Sequence, residues 1–307
     1  MLFRSDVTIG ETRGVEPSPF HLSRDILSGE YFISIKTLNS LNGIQLGTTL
    51  RMALPIDPLG LEEPAAIFWS KHFMPTLTRG VEPSPFIVYR NYTIRHFPLS
   101  IALDGTPSMA GDWETIEFFL PTSYGDATCM TELPGTEFDD GLPRLYIGTE
   151  GGYIFWLVEN IGAGGVIVEG AFTYSGGPIL DLEPIPQFGY IALGALMDNV
   201  IYGFVPGTKK GSSESRYMYN FRLSDPRIPP MTDFDVIGQK DTPLTYPIDE
   251  LKIIIANGTD ELAIATLQAE LLGDITMTII PDVVDGNTGK IATKDRKSTR
   301  LNSSHRL

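Results

Sequence analysis

The chain has 307 residues, a formal net charge of −15 and a pI near 4.6, with 31 glycines, 23 prolines and aromatics at 10%. So acidic a body repels phosphate backbones and disfavours direct, unspecific nucleic-acid binding, while frequent turns and scarce amphipathic periods point to an all-β chain. Cys129 is the only cysteine, which excludes an internal disulfide and a thiolate metal cluster and suits a reducing compartment.

The first 14 residues lack an apolar core of signal-peptide length, and no run approaches the roughly 20 apolar residues of a membrane span. Residues 12–20 (TRGVEPSPF) recur identically at 78–86. That interval exceeds one propeller blade of about 40–50 residues, and the flanks do not match, so the repeat is given no function. The sequons at Asn91 and Asn257 are read as accidental.

From residue 50 a rhythm of four strands can be counted. First strands are expected at 52–56, 127–133, 179–185 and 232–237, and second strands at 66–70, 145–147, 190–196 and 251–256. Third strands are expected at 86–92, 153–158, 200–205 and 262–266, and fourth strands at 115–120, 166–174, 216–223 and 275–280. The first interval is the longest, which places insertions in the first blade. The clearest unit runs from 144 to 206, where apolar runs rich in Ile, Val, Tyr and Phe turn at Gly151-Gly152 and at Asp198-Asn199. Being near-continuously apolar, these strands should be covered on both faces. Residues 260–272 also fit a capped helix, and their place in the repeat decides for strands. The expected fold is an all-β, WD40-like β-propeller fragment of about four blades plus part of another, left open by truncation.

Residues 295–305 (DRKSTRLNSSH) are similar to the translation of a common sequencing-library adapter. Residues 295–307 are therefore set apart from the propeller fragment 1–294, whose charge is then −18.

No catalytic, cofactor-binding or metal-ligating residue emerges. His21, His72, His96 and His305 stand in no metal-ligand spacing. Gly162-Ala-Gly-Gly lies between strands, not ahead of a helix, so it reads as a hairpin turn rather than a phosphate loop. Asp139-Asp140-Gly141 and Asp285-Gly-Asn-Thr-Gly lack the ligand spacing of a calcium loop and read as turns. Glu62-Glu63 reads as solvated. Asp181 and Glu183 alternate with Leu180 and Leu182 on an expected inner strand. They could line a central channel, and the preferred reading is satisfied structural groups. Trp69 and Trp156 sit in apolar strands and should pack between blades; Trp113, like them, is not assigned as a ligand platform.

The succession LYIGTEGGYIFWLV, GGPILDLEPIP and GYIALGALMDNVIYGFV, over 145–158, 176–186 and 189–205, resembles the N-terminal region of a family of large propeller scaffolds. These are the scaffolds related to the cleavage and polyadenylation specificity factor and to the UV-damaged DNA-binding protein's large subunit, with fungal DNA-repair relatives and a splicing-factor component. Residues 85–92 (PFIVYRNY) resemble a further family strand. The resemblance implies a nuclear, non-enzymatic scaffold that holds other proteins in pre-mRNA 3′-end processing, splicing or DNA-repair ubiquitin-ligase complexes. Direct nucleic-acid contact and membrane association are not expected. The alternative is a propeller enzyme, a quinone-dependent oxidoreductase or hydrolase, with its site in the central channel. In the preferred reading, partner-binding residues belong on the rim loops 137–141, 207–215 and 239–249.

Overall fold

Short β-branched and aromatic runs separated by glycine, proline and Asp-Asn turns fold into successive antiparallel sheets. The structure, a computed structural model, describes residues 15–25, 27–39, 45–55, 63–73, 84–120, 124–160, 165–173, 177–187, 190–205, 218–223, 231–237, 251–256, 261–267 and 275–281.

The first sheet holds β1 (Val15–Arg24), β2 (Tyr31–Asn39) and β3 (Gln45–Ala53) in that order. Next come β4 (Pro64–Ser70), β5 (Ser84–Tyr89) and β6 (Ile94–His96), then a hairpin of β7 (Leu99–Ile101) and β8 (Pro107–Met109), then β9 (Glu114–Ile116). The second sheet is β4-β5-β6-β9, with the hairpin inserted between its last two strands. The third sheet is β10 (Ala127–Leu133), β11 (Arg144–Thr149), β12 (Tyr153–Glu159) and β13 (Val166–Thr173). The fourth is β14 (Asp181–Gln187), β15 (Tyr190–Met197), β16 (Val200–Val205) and β17 (Met218–Leu223). The fifth is β18 (Asp233–Ile237), β19 (Leu251–Ala256), β20 (Glu261–Leu267) and β21 (Ile275–Pro281).

Each four-stranded sheet is an antiparallel meander in sequence order, and the first strands β4, β10, β14 and β18 touch one another in succession. First strands gathered around a common axis with the others fanning outward make a β-propeller. The chain is an all-β propeller fragment of four four-stranded blades preceded by three strands of another. Among the described residues the series is open: each apolar cluster lies at a boundary between consecutive sheets, and none joins the last sheet to the first.

Apolar side chains on both faces of each sheet build those boundaries. Ile33 and Ile35 meet Trp69, Ile87 and Phe97; Phe68 and Phe86 meet Met130, Ile147 and Phe155. Tyr146 and Trp156 meet Leu193, Met197 and Phe204; Ile185 and Leu196 meet Phe234 and Ile253. A buried side chain of this kind contributes about 1.5–3 kcal/mol, so packing between sheets outweighs any single hydrogen bond. The hairpins at 144–158, 190–205 and 251–266 occupy equivalent second and third positions in consecutive sheets, and 261–267 is a strand rather than a helix.

The first blade departs from its expected boundaries. Met52 and Ala53 belong to β3, where they pair with Ile33 and Phe32 of the preceding sheet. The ladder ends beside Pro55, which has no N–H to continue it. The innermost strand is therefore β4, expected as the second, and Ser84–Tyr89 is second rather than third. The added length includes the β7–β8 hairpin. Phe97, Leu99 and Ile101 of this excursion pack with Ile33 and Ile35, and the Thr37 hydroxyl donates to the Gly105 carbonyl, strapping the first sheet to the second. Pro55 O accepts from the Tyr89 hydroxyl at 3.3 Å and from Arg95 at 2.8 Å, so β3 ends beside the middle strands of the next blade. By that placement β1, β2 and β3 hold the second to fourth positions of their sheet.

Candidate protein-interaction surface

Three polar side chains of the innermost strands reach across the joints. Glu132 on β10 reaches the second sheet, where its carboxylate accepts the N–H groups of Lys71 at 2.7 Å, His72 at 3.0 Å and Phe73 at 3.0 Å. The Ser70 hydroxyl lies 2.8 Å from the same carboxylate. Asp181, fully buried at the start of β14, accepts the Phe234 N–H of β18 at 3.2 Å. Glu183 is buried beside it on the same strand. Thr128 on β10 donates to Ile179 O at 2.6 Å. A buried carboxylate holding several backbone N–H groups, as Glu132 does, is a satisfied structural group, and Asp181 holds one such N–H. Glu132 escaped the sequence reading; its signal was an acid inside an innermost strand whose other side chains are apolar or threonine.

A second polar cluster lies along the third sheet. Arg144 is 2% exposed and pairs with Asp140 at 2.7 and 2.9 Å and with Glu169 at 2.7 and 2.8 Å. The Trp156 indole N–H donates to Glu169 at 2.8 Å, and the guanidinium lies 4.4 Å from the Phe138 ring centroid. Burial works against the arginine charge, but the two carboxylates more than offset it and raise the pKa above its ordinary value. The Arg144 hydrogen bonds hold the Asp140 carboxyl below the usual range. Asp140 also accepts the Leu142 N–H at 3.0 Å, and Gly141 has φ +72°, so 139–141 is a turn committed to Arg144.

Of the rim clusters expected to bind partners, 207–215 and 239–249 lie outside the described residues. In the third, Glu137 accepts the Ile191 N–H at 2.9 Å and so fastens the third sheet to the fourth. Among the histidines, His96 is buried and stacked on Phe86 with centroids 4.6 Å apart, His72 is half-buried, and His21 lies on β1. Trp69 and Trp156 pack between sheets as expected, and Trp113 packs edge-on to Phe97 at 4.7 Å. Glu63 pairs with Arg90 at 3.4 Å. Residues 161–164, Glu62, Asp285, Asn257 and 295–307 lie outside the described residues. Among the described residues no group of three or more His, Cys, Asp or Glu is placed to hold a metal ion.

The end of the sheets that carries the second-to-third strand turns is built with one repeated device. Ala127 N donates to Arg90 O at 3.0 Å and Ile179 N to Thr149 O at 3.0 Å, while Met231 N donates to the Asn199 side-chain oxygen. Each turn thus holds the chain entering the next innermost strand. Asp198 and Asn199, with φ +50° and +61°, form the two-residue turn that right-twisted hairpins favour. Gly152 has φ +79° in the third-sheet turn, and Tyr92 has φ +72° in the second-sheet turn. The Tyr92 hydroxyl donates to Gly125 O and accepts the Tyr124 N–H at 3.2 Å, and Gly151 N donates to Tyr124 O at 3.2 Å. The connection from β9 to β10 is thereby tied to the turns of two sheets. Phe119 on that connection is 81% exposed.

No protein-family model and no curated protein matches the sequence. Among solved structures the chain is similar to a chain of a humanized mutant of the Chaetomium thermophilum Polycomb Repressive Complex 2, with 10% identity over 81% of this chain and 55% of that chain, TM-score 0.43. It is also similar to Saccharomyces cerevisiae Sqt1, with 16% identity over 79% of this chain and 57% of that one, TM-score 0.39. The chain spans little more than half the length of either.

Proposed function

We propose that the chain is part of a non-enzymatic propeller scaffold that binds other proteins through the loops and turns at the rims of its blades. The observation that carries this reading is the use of the inner-strand acids: Glu132 and Asp181 hold backbone N–H groups of neighbouring sheets. Recognition then falls to the turns and connections carried on that rigid frame. The resemblance to the polyadenylation-factor and UV-damage scaffold family supports a nuclear complex in pre-mRNA processing or DNA repair. Among the described residues no helix is long and apolar enough to cross a membrane. The net charge of −15 favours partners with basic surfaces.

Affinity capture of the full-length protein from its own cell extract tests the reading, beside turnover assays for hydrolase and quinone-dependent oxidoreductase activity. Recovery of 3′-end-processing, splicing or ubiquitin-ligase components is expected. A turnover abolished by Glu183→Gln in a variant that still folds would overturn the scaffold and move the function to the propeller axis.

A further inference from the structure

Resting on the scaffold reading, we propose that the rim around Phe119, at the joint of the second and third sheets, docks an arginine-bearing segment of a partner protein. The connection after β9 alternates in burial: Glu117 and Phe119 are exposed, while Phe118 and Leu120 pack on the core between these sheets. Phe119 therefore faces solvent because its neighbours are anchored, not because the segment frays.

Its anchored neighbour Phe118 belongs to an aromatic ledge. Tyr92 meets Phe155 edge-on at 5.5 Å and Phe118 meets the same ring at 6.2 Å. Tyr124 lies 4.7 Å from Tyr153 and 5.8 Å from Phe155. The backbone below is close-packed, since a Cβ on Gly151 would stand 2.3 Å from Tyr124 O. Rigid aromatic side chains at a partly buried rim are the side chains on which binding energy concentrates, because little ordering remains for the partner to impose.

Charge selects the partner. Exposed Glu117 stands two residues before Phe119, and Asp126 follows the ledge residue Tyr124 by two; the Glu150 N–H donates to Asp126 O at 2.8 Å in the turn whose Gly151 N–H donates to Tyr124 O. Arg90 lies between Glu63 at 3.4 Å and Asp126 at 3.6 Å, so among these described groups carboxylates outnumber cations. Aromatic faces bordered by carboxylates suit a guanidinium, which stacks on rings while donating to carboxylates in its plane; a lysine ammonium does this less well. A phosphate or an acidic segment would be repelled.

The test places a photo-crosslinking phenylalanine analogue at position 119 of the full-length protein in its own cell extract and sequences the crosslinked peptides. In parallel, labelled decapeptides of equal apolar content carrying two arginines, two lysines or two glutamates are titrated by fluorescence anisotropy. The arginine peptide should bind tightest and weaken at least about tenfold with Phe119→Ser, and further with Glu117→Gln. Leu103→Ser, on the exposed tip of the β7–β8 hairpin, should leave binding unchanged. Crosslinked peptides should carry arginine. No crosslink, or equal binding of the three peptides, overturns the inference. Capture of the same complex components by wild type and by Phe119→Ser in equal yield would leave the scaffold standing and remove this rim from it; loss of capture by wild type itself would count against the scaffold.

Discussion

Phe73 donates its backbone N–H to the Glu132 carboxylate at 3.0 Å, across the joint of the second and third sheets and 59 positions along the chain. With the N–H groups of Lys71 and His72 on the same carboxylate, one side chain satisfies the turn that leaves β4. Removing it strands the buried Phe73 N–H, costing about 1–3 kcal/mol, and breaks the part-buried bonds of Lys71 and His72. Glu132→Ala should lower unfolding free energy by about 3 kcal/mol or more, and Glu132→Gln by roughly half of that, because an amide oxygen still accepts. Urea unfolding followed by tryptophan fluorescence measures both; a loss under about 1 kcal/mol for the alanine would contradict the role.

Tyr92 occupies a backbone conformation that glycine takes in the matching turn of the third sheet, with φ +72° against +79° for Gly152. Its ring and hydroxyl stabilise what its Cβ destabilises. Tyr92→Phe should cost about 1 kcal/mol for the hydroxyl bonds to Gly125 and Tyr124. Tyr92→Gly should be more stable than Tyr92→Ala by about 1 kcal/mol, since both lose the ring and only alanine keeps the strain. Thermal melts of the three variants would reveal that order or refute it.

Gly148 and Gly194 permit close approach inside second strands of successive sheets. A Cβ on Gly148 would stand 2.5 Å from Cys129 Sγ and 2.6 Å from Ile179 Cγ2; on Gly194 it would stand 2.4 Å from Ile185 Cδ1. Ile179 is held by its N–H to Thr149 O at 3.0 Å, and fully buried Ile185 also brings Cγ1 to 2.8 Å from the Gly194 Cβ, with Glu183 O at 3.0 Å. Gly148→Ala and Gly194→Ala should therefore each destabilise the protein by about 2–3 kcal/mol. A denaturation midpoint left unchanged by either substitution would contradict the close approach.

His96 pairs across β6 and β9 with Glu114, its ring nitrogen 3.6 Å from the carboxylate, and stacks on Phe86. Burial holds its imidazole below the ordinary 6.5, and Glu114 opposes that shift only in part. Below pH 6.5 the unfolded chain takes up a proton that the folded chain resists. The stability this site contributes is thus whole above 6.5 and declines as pH falls toward the folded value. Urea midpoints at about pH 7.5 and pH 5.5 should drop on acidification, and His96→Phe should flatten the drop. An unchanged slope in His96→Phe would assign the pH dependence to other groups.

Much of this was legible in residues whose chemistry admits one conformation. Asp198-Asn199 declared its hairpin because both positions need positive φ, and near-continuous apolar runs declared sheets covered on both faces. The run 52–56 misled because an innermost strand and an outer strand that closes the preceding sheet have the same composition. Only the partner strand distinguishes them. Asp181 drew notice through its flanking leucines, while Glu132 passed unseen; what each bonds depends on a backbone more than 50 residues away. Residues 118 and 119 are both Phe, and nothing local says which one faces water.

Among the described residues each apolar cluster serves one boundary and no other. Such a molecule is energetically a line of links rather than a single mass, its stability a sum of nearest-neighbour terms. Damage at one joint should release the sheets beside it first and fade with distance along the row. Amide protection should accordingly be highest in the middle sheets, whose two faces are both occupied, and fall toward either end. Whatever grips the rim of two adjacent sheets would bear on the link between them as well as on its own contact.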